Sequence, residues 1–208
     1  RSIAASVAAA VIFGVQQYQG QDGVPANPVL NTIPIGGSAA PVSVHYPQQD
    51  GARARQQGLT EQAKVPLRKA LELDRNDPDT NAALALVFQA EMEFALAEQA
   101  FRTALNGRPG DARILNNYGS FLFERQRYQE ASVQFQKAAA DNLYPERSRI
   151  YENLGITSLE LGQRETGRQQ LEKALRLNRQ QPRALLEMAE LSFEDRHYVP
   201  SRDYYDRF

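Results

Sequence analysis

Three arginines carry the first chemical signal in this chain. Arg113, Arg149 and Arg183 are separated by steps of 36 and 34 residues, and two asparagines repeat at a matching offset, Asn117 and Asn153. A guanidinium is a planar fork of donors that grips a carboxylate through two parallel bonds. An asparagine amide both donates to and accepts from a peptide backbone. Set in a row, such groups suit recognition of an extended or acidic protein segment. Asn116, Ser120 and Phe123 surround the first arginine in register, and Glu152, Ile156 and Leu159 the second. Leu186, Glu187, Glu190 and Phe193 follow the third. The plainer alternative is a solvated arginine column paired with nearby carboxylates such as Glu146 or Glu187.

Catalysis finds little support in the residues. His45 and His197 have no neighbours that would make them a base or a ligand, and Asp203 and Asp206 beside Tyr204 and Tyr205 read as surface and packing residues. No glycine-rich phosphate loop, metal cluster or nucleophile motif stands out. Cysteine is absent, which removes thiol nucleophiles, disulfides and cysteine metal sites. No cofactor and no metal are expected. A formal charge of −1 argues against general nucleic-acid binding, which calls for a basic face. Met92 and Met188 fall at helical apolar positions and read as core.

The elements that must position the arginines show themselves as an internal repeat. Small residues recur at Ala63, Ala97, Ala131, Gly167 and Ser201, in steps of 34, 34, 36 and 34. Four residues after each comes a large apolar one, Leu67, Phe101, Phe135, Leu171 and Tyr205. Three further on stand Ala70, Ala104, Ala138 and Ala174. Twelve residues before the small residue lie Ala85, Gly119, Gly155 and Ala189, each after Leu84, Tyr118, Leu154 or Met188. This is the pattern of the tetratricopeptide repeat (TPR), a pair of helices, A and B, per unit of about 34 residues. Small residues let the two helices cross closely, and stacked repeats bury apolar faces that none could bury alone.

The fold expected is therefore an all-α, right-handed TPR solenoid over residues 58–208, about four and a half repeats, with an irregular segment before it. The repeats fall near 58–77, 78–111, 112–147, 148–181 and 182–208. The step of 36 is assigned to extra residues at 141–145, between the third and fourth repeats. Helix A residues line the concave groove of such an array. The candidate groove set is Arg113, Asn116, Asn117, Phe123, Arg149, Glu152, Asn153, Leu159, Arg183, Glu187 and Phe193. The carboxylate clamp of some co-chaperone TPRs is not expected, because its lysine and asparagine positions hold Ala82 and Leu86.

Residues 1–57 are written differently. An apolar run from Ile3 to Val15 has the length of a signal-peptide core and is too short to span a bilayer. A stretch with Pro25, Pro28, Pro34, Pro41 and Pro47 follows, expected to be a disordered linker. The first repeat shows helix B, with Thr60 as N-cap and Pro66 as a kink, but its helix A, due near 44–57, has no apolar face. Helix B is then expected to expose Val65 and Leu71 unless the linker folds over them.

Several strings go beyond the generic repeat: residues 60–74 (TEQAKVPLRKALELD), 115–119 (LNNYG), 143–149 (LYPERSR), 152–155 (ENLG), 175–182 (LRLNRQQP), 186–190 (LEMAE) and 198–208. Over about residues 57–208 the chain resembles the PilF/PilW family of type IV pilus biogenesis and stability proteins. The resemblance implies a periplasm-facing outer-membrane lipoprotein, a pilotin, that helps the pilus secretin reach and multimerise in the outer membrane. Its partner would be the secretin, with membrane contact only through a lipid anchor. Family members carry a lipobox cysteine that this sequence lacks, and a helix A in the first repeat. A misread frame or wrong gene model over residues 1 to about 55, with the family frame resuming near Gln56, and a divergent N-terminus both account for those departures. A different reading of the residues is a periplasmic TPR adaptor that recruits cell-wall enzymes or binds extended peptides.

Overall fold

The computed structural model describes residue 61 and residues 64–208. Thr60, the proposed signal-like run, the linker and the expected site of the missing helix A lie outside the described residues. Among the described residues there are nine helices and no strand, the all-α TPR fold that the repeat pattern requires. They are α1 (64–73), α2 (Pro78–Ala90), α3 (Phe94–Gly107), α4 (Ala112–Glu124), α5 (Tyr128–Ala139), α6 (Arg147–Glu160), α7 (Arg164–Leu177), α8 (Pro182–Glu194) and α9 (Tyr198–Arg207). The even-numbered ones are A helices and the odd-numbered ones B helices. The chain divides into two compact units, Arg1–Ala100 and Phe101–Phe208, with the division inside α3.

In the first unit α2 begins where sequence chemistry dictates. Asp77 Oδ2 accepts from the Thr80 amide at 2.8 Å and from its hydroxyl at 2.6 Å, and Pro78 takes the first helical position, where its missing N–H does no harm. Leu67, Ala83, Leu84 and Val87 form a small buried cluster with Leu71 and Phe88 packed on its edge. Val65 is exposed as expected, and so is Leu73. Leu71 is not: it turns onto the α2 cluster. Lys64 reaches Glu91 at 2.6 Å and Glu61 at 3.0 Å.

The second unit repeats one crossing three times. A Cβ added at Gly119 would lie 2.6 Å from the Phe135 ring, and one at Gly155 2.6 Å from Leu171 Cγ and 3.1 Å from the Gly167 carbonyl. In the last repeat Ala189 takes the glycine position, and the Ser201 hydroxyl donates to its carbonyl at 2.9 Å. Phe101, Tyr118 and Phe121 fill the adjacent layer with ring centroids 5.3–6.2 Å apart. The two residues by which the third step exceeds 34 fall between α5 and α6, where Asp141 Oδ1 accepts from the Leu143 amide at 2.9 Å.

Among the described residues every A-to-B turn uses one left-handed residue at the same register: Met92 (φ 62°), Gln126 (59°), Gly162 (72°) and Arg196 (61°). The amide after each returns to a carbonyl five residues back, as from Arg127 to Leu122 at 2.9 Å and from Gln163 to Ser158 at 2.8 Å. This is the Schellman closure of a helix C-terminus. Met92 is thus corrected from a core residue to a turn residue, 73 % exposed. Helical spacing counts straight through a turn that contains a left-handed residue, so periodicity alone places it on the wrong face. Met188 is buried as expected.

Candidate protein-binding groove

The A helices α4, α6 and α8 bring Phe123, Asn153, Arg183, Leu159 and Glu187 of the candidate set to two hollows. The first, about 170 Å³, is lined by Ser120, Phe123, Glu124, Phe135, Asn153, Ile156 and Arg183. The second, about 330 Å³, is lined by Leu159, Gly162, Arg164, Leu191 and the carboxylates Glu187, Glu190 and Glu194. An amide, a hydroxyl and a guanidinium over aromatic and aliphatic floor make the first hollow suited to a side chain of an incoming segment. The second is walled by acid and floored by leucine.

The three arginines do not share one environment. All are exposed, but Arg149 pairs with Glu146 at 2.9 Å, as the plainer alternative had it. Arg113 and Arg149 both act on the Tyr144 hydroxyl, whose pKa is raised chiefly by burial and then by Glu146, against the two arginines. Of the three, Arg183 lines a hollow.

The polar residues beside them divide as well. Asn116 is buried, and its Oδ1 accepts from Asn153 Nδ2 at 3.0 Å. Glu152 is 4 % exposed, and its Oε2 accepts from the Ala184 amide at 3.0 Å. Burial pushes the Glu152 carboxyl above the ordinary carboxylate range, opposed by bonds from Gln181 and Ala184 and by the charges of Arg183 and Arg149. Asn116 and Glu152 therefore face neighbouring repeats. The register alone could not show this, because groove and inter-repeat positions sit one residue apart on a helix. Asn117 is half-buried and Asn153 partly open to the first hollow.

In the second hollow the Glu187 carboxyl is pushed up by burial first, then by Glu190, Glu160 and Glu152, with Arg183 opposing. Leu159 is half-buried and packs over Gly167. Phe123 meets Tyr128 with ring centroids 5.1 Å apart, and Phe193, 60 % exposed, meets Tyr198 edge-on at 5.7 Å. The same pair thus recurs one A–B turn apart in the third and fifth repeats. In the fourth repeat Leu159 and Arg164 take these places. Arg164 reaches Glu194 at 2.5 Å and Asp195 at 2.8 Å, and Arg168 also binds Asp195. Glu124, Glu160 and Glu194 were not singled out from sequence, although they recur in steps of 36 and 34; that recurrence was the signal for them.

Comparison with known proteins supplies the lineage. The tetratricopeptide repeat family model matches residues 148–181, the span read as the fourth repeat. A second family, the C-terminal domain of the anti sigma-E protein RseA, matches residues 26–66. Anti-sigma-E factor RseA of Escherichia coli is 44% identical over 66 residues, covering 30% of this chain and 31% of that protein. A misread frame would not carry such a likeness, whereas a wrong gene model and a divergent N-terminus both remain compatible with it. The polar, proline-rich text of this stretch has no periodicity from which the likeness could have been read. Type IV pilus assembly protein PilF of Pseudomonas aeruginosa is 55% identical over 153 residues, 74% of this chain. The chain spans 61% of that protein's length. The solved structure of Pseudomonas aeruginosa PilF superposes with a TM-score of 0.71 at 50% identity, covering 77% of each chain. That of PilW, a type IV pilus biogenesis factor, gives 0.66 at 30% identity over 77% of this chain and 73% of its own. Among the described residues no helix is long and apolar enough to cross a membrane. With the helix pairs, the glycine crossings and these two structures in agreement, the chain belongs to the PilF/PilW family of type IV pilus biogenesis TPR proteins.

Proposed function

We propose that this chain is a non-catalytic TPR scaffold of type IV pilus biogenesis. Its concave face receives a segment of the pilus secretin and so assists secretin localisation and multimerisation at the periplasmic side of the outer membrane. The observation that carries the reading is the 55% identity to a type IV pilus assembly protein over 153 residues. The hollow under Arg183, Asn153 and Phe123 supports it, because it joins an apolar floor to oriented donors, the usual build of a protein-binding pocket. Of the groove set named from sequence, Arg183, Asn153, Phe123, Leu159, Glu187 and Phe193 are the contact residues, while Asn116 and Glu152 bond to neighbouring repeats behind it. Arg113, Arg149 and Asn117 form its edge. Residues 58–208 carry this activity.

The test is capture. The full chain is immobilised and exposed to detergent extracts of pilus-bearing Pseudomonas aeruginosa envelopes, and bound protein is identified by mass spectrometry. Secretin enriched over an Arg183→Glu control is the expected result. A folded chain that enriches no secretin would overturn the reading.

A further inference from the structure

We propose that Glu152 is a positioning residue of the groove: its carboxylate clamps the first turn of α8 to α6 and so holds Arg183 over the hollow that Asn153 lines. This rests on the groove reading given above. Glu152 and Asn153 are neighbours on α6 and reach in opposite directions. Asn153 Nδ2 donates to Asn116 Oδ1 on α4 at 3.0 Å, and Glu152 Oε2 accepts from the Ala184 amide on α8 at 3.0 Å. The A helices of three successive repeats are thereby tied in series by side chains that the register alone assigns to a ligand.

Of the other described A helices, α2 and α4 cap their own first turns with a side chain and α6 does not. Asp77 caps the amide three residues on, Thr80, and Asp111 caps Ile114 in the same way at 3.0 Å. The corresponding residue of α8 is Gln181, which makes no side-chain cap bond. The Ala184 amide, also three residues on, is one of the donors that a helix start leaves without an intrahelical partner. Glu152 supplies the missing acceptor from another repeat. It is buried, and the groups facing it are the Ala184 amide, Gln181, Arg183, Arg149 and Glu187. A buried carboxylate is an expensive cap where an aspartate at 181 would serve locally. What the local cap lacks is the tie to α6, the helix that also carries Asn153.

Glu152→Ala, Glu152→Gln and the double variant Glu152→Ala/Gln181→Asp of the full chain separate the roles. Amide hydrogen exchange at Ala184 and secretin capture are the readouts. Glu152→Ala is expected to speed exchange at Ala184 by about 10–100-fold, the worth of a hydrogen bond to a charged acceptor, and to weaken capture by about tenfold. Glu152→Gln, which keeps an acceptor on α6, is expected to retain the protection. The double variant gives α8 its own cap: it should recover protection at Ala184 but not capture. Recovery of both would make Glu152 a helix cap only and overturn the positioning role. Unchanged exchange in Glu152→Ala would overturn the clamp itself. A wild-type chain that captures no secretin refutes the groove reading alone, and the clamp is then judged by the exchange rates.

Discussion

Gly155→Val puts the α6–α7 crossing under direct test. The first added carbon would sit 2.6 Å from Leu171 Cγ, 2.8 Å from its Cδ2 and 3.1 Å from the Gly167 carbonyl oxygen. Carbon atoms rest at about 3.5–4.0 Å, so the helices must part by about 1 Å or Leu171 must leave its rotamer. Leu171 is fully buried, and the oxygen on the other side is backbone, so neither retreats easily. Overpacking of this kind costs about 1–3 kcal/mol. Valine recovers only about 0.3 kcal/mol of the helix propensity that glycine forgoes, so the sign is destabilising. For a chain of this length the melting temperature should fall by about 2–10 °C, read by circular dichroism. A double-mutant cycle checks the cause. Gly155→Ala should destabilise the wild-type chain, but clearly less in a Leu171→Ala background, because the two Leu171 contacts are gone and only the Gly167 carbonyl at 3.1 Å remains against the gain in propensity. Gly155→Val melting with wild type, or Gly155→Ala behaving alike in both backgrounds, would refute the tight crossing.

Three further outcomes are expected. Gly162→Ala should lose about 1 kcal/mol, because φ 72° is strained for any residue with a Cβ; Gln126→Gly, at the matching turn, should gain up to about 1 kcal/mol in chemical denaturation, and a loss there would contradict the turn assignment. The Glu152 carboxyl titrates above the ordinary glutamate value of 4.5, so the folded state binds its proton more tightly than the unfolded one. That contribution is fully present below pH 4.5 and is lost as pH rises through the raised folded value. Glu152→Gln should accordingly melt above wild type at neutral pH, with the difference closing below pH 4.5; a constant difference across pH would sink the assignment. Finally, Arg183→Glu should weaken secretin capture by about 10–100-fold, with the loss shrinking at high salt. Arg149→Glu should do less, because Arg149 already pairs with Glu146 at 2.9 Å; equal effects would restore the three-arginine column.

The repeat, its helix pairs and the close crossings at Gly119 and Gly155 were legible in the sequence because each depends on residue size at fixed spacing. A small residue every 34 to 36 residues has one economical use, to let two helices touch. The strings that mark the PilF/PilW family were legible for the same reason: they are local text. The direction of the polar side chains was decided only by the tertiary structure. Asn116 and Asn117, or Glu152 and Asn153, are adjacent letters, yet one member of each pair is buried between repeats and the other is only half-buried. That choice depends on how α4, α6 and α8 are packed and on whether a neighbouring helix start, such as that of α8, lacks its own cap. Met92 makes the same point for the backbone: one left-handed residue in a turn moved it from the core to the solvent, and residue spacing carries no record of such a turn.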